Sequence, residues 1–262
     1  MKLIPKKSLG QNFLFDKNIL KIITDCAHIE DKEILEVGPG TGNLTTEILK
    51  KKPNKLFLIE KDSSLIKILK EKFSDRVKYI NDDILKISVK DLTKQKLTVF
   101  GNLPYNISTE ILIKWILSLD PNPWFEKLVL MFQKEVADRI ISEYDTSSYG
   151  RLSIISNWKL DVKKIIDIKP NCFFPKPKVN SSLLIFTPKP DFFKLKNIHS
   201  LEKITRIFFN HRRKKVKKPF NQIFHNADEI AKKLEIDLNL RPQNLKKEEY
   251  YMIAKEFEKL KH

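Results

Sequence analysis

Cysteine is nearly absent. The chain has two in 262 residues, Cys26 and Cys172, far apart and with no metal-ligand spacing. That excludes a disulfide scaffold and a cysteine-based zinc site, and it suits reduced thiols in a cytoplasmic protein. Long apolar runs are missing as well, so nothing here reads as a membrane-spanning helix. Residues 1–7 are basic but lack the apolar core of a signal peptide. Acidic residues are in deficit: 33 Asp and Glu face 50 Lys and Arg, a net charge of +17. A charge of that size implies a polyanionic partner, nucleic acid first among them. Glycine is scarce too, with six in all, yet Gly38, Gly40 and Gly42 fall within five residues. A chain that concentrates its glycines in one turn needs a sharp bend there and a close backbone approach to something.

What is present fits a globular protein: 41% hydrophobic and 32% charged residues exclude a disordered chain. Short β-branched runs at 34–37, 55–60, 77–81, 97–101 and 128–132 alternate with helical patterns at 41–51, 63–72 and 109–119. The alternation predicts an α/β fold with a parallel, doubly wound sheet. Segments 162–168 and 182–187 read as an antiparallel pair at its edge. Thr187-Pro188-Lys189-Pro190 is a break, which predicts a larger domain over 1–190 and a small, helical, basic one over 191–262. Between residues 194 and 218 stand ten Lys and Arg and one acid, Glu202. A solvated helix face interleaves Glu with Lys. This one does not, so Arg212, Arg213, Lys214 and Lys215 are candidates for nucleic-acid phosphates, with Lys2, Lys6 and Lys7 as further ones.

The glycine turn follows a strand and opens a helix, and Glu60 ends the next strand twenty-two residues after Gly38. That is the place for a carboxylate on ribose hydroxyls. The spacing Gly-x-Gly-x-Gly differs from the Gly-x-Gly-x-x-Gly of pyrophosphate binding. Glu36, just before it, suits a ligand bearing a cationic amino group, such as S-adenosylmethionine, and would repel a diphosphate. Asp83, with Asp82 as competitor, follows the third strand and can accept an adenine amino group.

Asn102-Leu103-Pro104-Tyr105 carries the chemistry. An exocyclic amine of a nucleobase is a poor nucleophile, because its lone pair is delocalised into the ring. A site that methylates it must orient it. The Asn102 side-chain carbonyl and the Leu103 backbone carbonyl can accept its two N–H groups, and an aromatic ring can stack on the base.

With these residues in hand, the chain resembles the bacterial ribosomal RNA small-subunit adenine dimethyltransferases over nearly its full length. Five stretches carry the resemblance: Leu9-Gly10-Gln11-Asn12-Phe13-Leu14; the glycine turn; Asn102-Leu103-Pro104-Tyr105-Asn106-Ile107; Gln133-Lys134-Glu135-Val136-Ala137 with Arg139; and residues 173–181, Phe-Phe-Pro-Lys-Pro-Lys-Val-Asn-Ser. The resemblance implies a Rossmann-like class I S-adenosylmethionine-dependent methyltransferase with a small C-terminal helical domain. It implies transfer of methyl groups to N6 of two adjacent adenosines in a hairpin near the 3′ end of small-subunit RNA, by a monomer that needs no metal. By the same resemblance Asn12 and Leu14 belong to a segment closing over the cofactor. Gly38 lies under its methionine part, Glu60 on its ribose and Asp83 on its adenine. Asn102 lies between cofactor and target amine, Tyr105 beside the base, and Phe173 stacked on it, with Phe174 as packing. The chain departs from the family at Phe174, where a small or polar residue is common, and at Lys217-Lys218-Pro219. Rival expectations are a macrolide-resistance-type methylase of large-subunit RNA, a non-enzymatic ribosome-assembly factor on the same fold and, more distantly, a nicotinamide dehydrogenase.

Overall fold

The computed structural model describes residues 5–6, 9–119 and 122–260; the candidates Lys2 and Lys7 lie outside them. In chain order the strands are β1 (Phe13–Leu14), β2 (Glu33–Val37), β3 (Lys55–Ile59), β4 (Lys78–Ile80), β5 (Leu97–Gly101), β6 (Phe125–Gln133), β7 (Leu160–Ile168), β8 (Phe173–Phe174) and β9 (Ser181–Pro188). The helices are α1 (Lys17–Asp25), α2 (Asn43–Lys50), α3 (Ser63–Phe73), α4 (Ser108–Leu117), α5 (Lys134–Ile141), α6 (Arg151–Lys159), α7 (His199–Asn210), α8 (Lys217–Ile223), α9 (Ala227–Lys233) and α10 (Lys247–Lys259).

Seven strands form one sheet in the order β4-β3-β2-β5-β6-β9-β7. The run from β4 to β6 is parallel, and β9 pairs antiparallel with β6. This is the α/β architecture expected from the alternation of runs, with β9 and β7 side by side at the predicted edge. Every residue of β2 and β5 is buried, as parallel strands covered on both faces must be. Ile34, Leu58, Phe100 and Val129 from four strands join Leu44, Ile48 and Leu69 of the covering helices in one apolar core. Helix α1 and the strands β1 and β8 add to the elements read from the sequence, although α1 carries an amphipathic period of its own, with Leu20, Ile23 and Thr24 buried. Helix α1 begins at Asp16, whose carboxylate accepts the N–H groups of Asn18 and Ile19, a side-chain cap on otherwise orphaned donors. Strands β1 and β8 form a separate antiparallel ribbon, Phe13 opposite Phe174 and Leu14 opposite Phe173. Two-residue strands are too short to show alternation.

The chain divides into two compact units, one built from residues up to 115, 119–137 and 162–188, the other from 116–118, 138–161 and 189–262. The second unit is helical. Helices α7 and α10 pack on each other and on α6. Phe208 meets both Phe220 and Tyr250 edge-on, each at 5.5 Å between centroids. The buried Trp158 donates its indole N–H to the Phe193 carbonyl at 2.9 Å. Residues 138–161 precede the Pro188 break in sequence, yet α6 supplies apolar side chains that this unit needs for a core of its own.

Candidate active site

The sheet places the glycine turn beside Asn102. Strand β2 is central. The chain runs outward from it to β3 and β4, then crosses back to β5 on its other side, which leaves a crevice at the carboxyl ends of β2 and β5. Val37 and Gly101 are partners in register, so the residues that follow each strand are neighbours. Gly38, Gly40 and Gly42 have φ of +69°, +57° and +76°, the left-handed region that favours glycine. A Cβ on Gly38 would lie 3.3 Å from the Asn102 carbonyl oxygen, and one on Gly40 would lie 2.7 Å from the Phe13 ring. Gly40→Ala is therefore expected to push Phe13 and the segment around it off the turn. A thermal-shift titration with S-adenosylmethionine should show affinity lost by a factor of ten or more, and unchanged affinity would contradict this packing.

A cleft of about 1190 Å³, including its open mouth, occupies the crevice and is lined by residues 9–14, the glycine turn, Glu60, residues 82–85 and residues 102–107. Two buried acids give it its electrostatics. Burial pushes the Glu36 carboxyl up to about 8, against the pull of a 2.6 Å hydrogen bond from the Thr45 hydroxyl and helped by the nearby Glu60. Burial raises Glu60 too, although its oxygens accept the Asp62 N–H at 2.9 Å and the Gly40 N–H at 3.3 Å. Asp83 is the opposite case. A 2.8 Å contact with Lys61, with a bond from the Leu85 N–H at 3.0 Å, holds it below the usual carboxylate range. Its competitor Asp82 also lines the cleft and accepts the Asp83 N–H at 2.6 Å. A cofactor with an ammonium group, ribose hydroxyls and an adenine fits this donor and acceptor set. The Gly38 backbone leaves a cradle that a Cβ would fill, and the two buried acids Glu36 and Glu60 face the same cleft.

The N-terminal segment closes onto the Asn102 loop. Asn102 Nδ2 donates to the Asn12 carbonyl at 2.8 Å, while Asn12 Nδ2 donates to the Gly10 carbonyl at 3.2 Å. Asn43, at the start of α2, holds the Leu14 carbonyl at 2.8 Å. Lys6 and Gln11 both reach Asp62, at 2.7 and 3.0 Å; Lys6 is thus tied beside the cleft, away from its expected role as a free phosphate contact. Tyr105 exchanges a 2.5 Å hydrogen bond with the Ser181 hydroxyl, and burial raises its phenol, which keeps it neutral. The Lys134 N–H donates to the Asn180 carbonyl at 2.8 Å. Four of the stretches singled out in the sequence, around residues 12, 38, 102 and 180, are joined here directly or through one contact, and the fifth, at 133–139, is tied to Asn180.

Two expectations need correction. Phe173 is only 3% exposed and packs in the core with Leu14, Phe100 and Met131 instead of lining the cleft, whereas Phe174, expected as packing, is 61% exposed. The ribbon explains the exchange: Phe173 shares the inward face with its partner Leu14, so its neighbour must point the other way. In the helical unit Arg212 is held internally, donating Nε to Gln243 Oε1 at 3.4 Å and a terminal N–H to the Ser147 carbonyl. Arg213, Lys214 and Lys215 are exposed, the last bonded to Asn239 at 2.9 Å. Among the described residues no cluster of His, Cys, Asp and Glu could hold a metal, and no helix is long and apolar enough to cross a membrane.

Comparison with known proteins agrees with this geometry. A family model described as ribosomal RNA adenine dimethylase matches residues 4–259. The ribosomal RNA small subunit methyltransferase A of Pelagibacter ubique is 64% identical over 256 residues, 98% of each chain. A crystal structure of a dimethyladenosine transferase from Plasmodium falciparum superposes with a TM-score of 0.78 at 27% identity, covering 94% of this chain and 98% of the other. The 23S rRNA methyltransferase ErmE shares the fold, with a TM-score of 0.69 at 21% identity over 95% of this chain and 100% of its own.

Proposed function

The chain belongs to the ribosomal RNA adenine dimethylase family, and from that premise we propose that it transfers methyl groups from S-adenosylmethionine to N6 of two adjacent adenosines in small-subunit ribosomal RNA. The target is a hairpin near the 3′ end, the product is a pair of N6,N6-dimethyladenosines, and the enzyme works as a monomer on the assembling subunit in the cytoplasm. The observation that carries this is the Asn102 amide. Its nitrogen end is engaged by the Asn12 carbonyl, so its oxygen end is the one available as acceptor in the cleft.

S-adenosylmethionine, when bound, supplies a methyl on a cationic sulfur, electrophilic enough to need no metal. Everything else falls to the protein. Asn102 Oδ1 and the Leu103 carbonyl accept the two N6 hydrogens, which favours a pyramidal amine with its lone pair turned toward the cofactor side. Most of the rate enhancement is then positioning. Pro104 stiffens the loop and brings no competing N–H. Tyr105 lies against the base after it leaves its stack, its ring fixed by Ser181. Glu60 takes the ribose hydroxyls, Asp83 the adenine amino group, and Gly38 lets the backbone approach the methionine part. Asn12 and Leu14 cover them. Phe173 supports the floor from behind, holding β8 against the core.

Incubating purified small subunits and naked large-subunit RNA side by side with the enzyme and methyl donor, then reading both by mass spectrometry, tests the proposal. Dimethyladenosine is expected in the small-subunit RNA alone. Modification of the large-subunit RNA, or of neither, would overturn it.

Glu36 adds a pH signature. It is protonated at neutral pH in the free protein, because its carboxyl is pushed up to about 8. An ammonium brought into the cleft favours the ionised form, so binding S-adenosylmethionine releases a proton. Affinity should rise with pH toward about 8 and fall again at higher pH, where the ligand's own ammonium group loses its proton. Calorimetry in two buffers of different ionisation enthalpy should record that proton. Glu36→Gln should abolish it, and a buffer-independent enthalpy for the unaltered protein would remove Glu36 from amino-group binding.

In the helical unit, Arg213, Lys214 and Lys215 are assigned to RNA phosphates. Changing all three to Gln should weaken RNA binding and lower the slope of log affinity against log salt by about 2, given roughly 0.7–0.9 per phosphate contact. An unchanged slope would place the RNA elsewhere.

A further inference from the structure

The ribbon of β1 and β8 has a face that the chemistry described so far does not use. Leu14 and Phe173 share its inner side. On the other side Phe13 stands opposite Phe174. The Phe15 N–H donates to the Cys172 carbonyl at 3.0 Å, which continues the ladder by one pair, so strand alternation puts Phe15 on the side of Phe13 as well. Phe13 lines the cleft and abuts the glycine turn. Phe15 and Phe174 are 51% and 61% exposed, the two most exposed large apolar side chains of the described residues. Two phenyl rings left in water on the ribbon face that carries the cleft-lining Phe13 call for an occupant.

Charge identifies it. The loop that follows Phe174 carries Lys176 and Lys178, both exposed, and no acid as far as Ser181. The acid on the ribbon, Asp16, is turned into the N-terminus of α1. Exposed aromatics interleaved with Lys form the kind of surface that binds unpaired nucleotides, the rings stacking on bases and the cations meeting phosphates. We infer that Phe15 and Phe174 form a stacking platform for the unpaired nucleotide next to the one in the cleft, with Lys176 and Lys178 on its phosphates. The inference rests on the RNA-methylating function proposed above and extends it. A substrate with two adjacent target adenosines must leave one exposed while the other is in the cleft, and the platform holds that waiting base. Phe15 and Phe174 are thus positioning residues, which set how readily the second adenosine follows the first.

The experiment uses the full chain and a hairpin RNA with two adjacent loop adenosines, in which 2-aminopurine replaces one adenosine and the other remains as the target. Stacking on the platform keeps 2-aminopurine emission low in the complex with the unaltered protein. The Phe15→Ala/Phe174→Ala double variant should raise that emission several-fold and raise KM for RNA about ten-fold or more. On the same hairpin with both adenosines in place, it should also yield RNA modified at one adenosine where the unaltered protein modifies both. Phe174→Trp, which keeps a ring, should restore low emission and double modification. S-adenosylmethionine affinity and melting temperature serve as checks on folding and should not move. If the unaltered protein methylates RNA but the variants match it in emission, KM and product ratio, the platform is wrong and the wider proposal stands. If the unaltered protein methylates no RNA, the wider proposal fails first. If light scattering shows a dimer that the double variant splits into monomers, the patch belongs to self-association and the inference is overturned.

Discussion

Asn102→Ala should lower the rate of methyl transfer by roughly 10²–10³-fold, the range seen when one aligned hydrogen-bonding group is removed from an active site, while RNA affinity stays near that of the unaltered protein. The separation follows from geometry. The Asn102 amide donates to the Asn12 carbonyl at 2.8 Å, its proposed second partner is the reacting amine, and neither is a phosphate. Removing the amide also releases one hydrogen bond from the N-terminal segment, worth about 0.5–1.5 kcal/mol. S-adenosylmethionine affinity should therefore fall by about ten-fold at most. Single-turnover kinetics with both substrates saturating isolates the larger effect. A variant that loses RNA binding and turnover together would show that Asn102 shapes the loop instead of aligning the amine.

The second large effect is on stability. Phe173→Ala removes a ring that is 3% exposed and belongs to the apolar core that also holds Leu14, Phe100 and Met131. Emptying such a site costs about 3–5 kcal/mol. In a protein of this size that corresponds to a drop of roughly 6–20 °C in melting temperature. Phe174→Ala, one residue along and 61% exposed, should change stability by no more than about 0.5 kcal/mol. Scanning calorimetry of the two variants decides the assignment of the pair. A Phe173→Ala protein that melts normally and fails only in RNA binding would return Phe173 to the base.

The contrast between these two phenylalanines shows where the sequence stops being readable. The sheet could be anticipated because its central strands are continuous apolar runs separated by helical patterns, and the glycine turn because three glycines crowd one window. Asn102 and Tyr105 stood out through their chemistry alone. Phe173 and Phe174 have the same side chain and adjacent positions, so composition cannot rank them. Which one turns inward depends on β1, more than 150 residues earlier, whose two residues are too few to reveal a period. The same holds for α6. Nothing in its local pattern says that a helix before the Pro188 break packs with helices after it. Arg212 stands in a basic run like its neighbours, and only its distant acceptors Gln243 and Ser147 set it apart. Helices α1 and α5 carry a clear amphipathic period and were readable without being read, whereas Phe173, α6 and Arg212 depend on partners far along the chain.

The bond from Asn102 to Asn12 has one more consequence. The same amide that is proposed to align the amine also fastens residues 10–12 at the cleft, through Asn12 and Gly10. The hold on that segment and the alignment of the amine are two ends of one lever. A change that loosens residues 10–12 is therefore expected to be felt at the amine through Asn102, and one at Asn102 to be felt by the segment that covers the cleft.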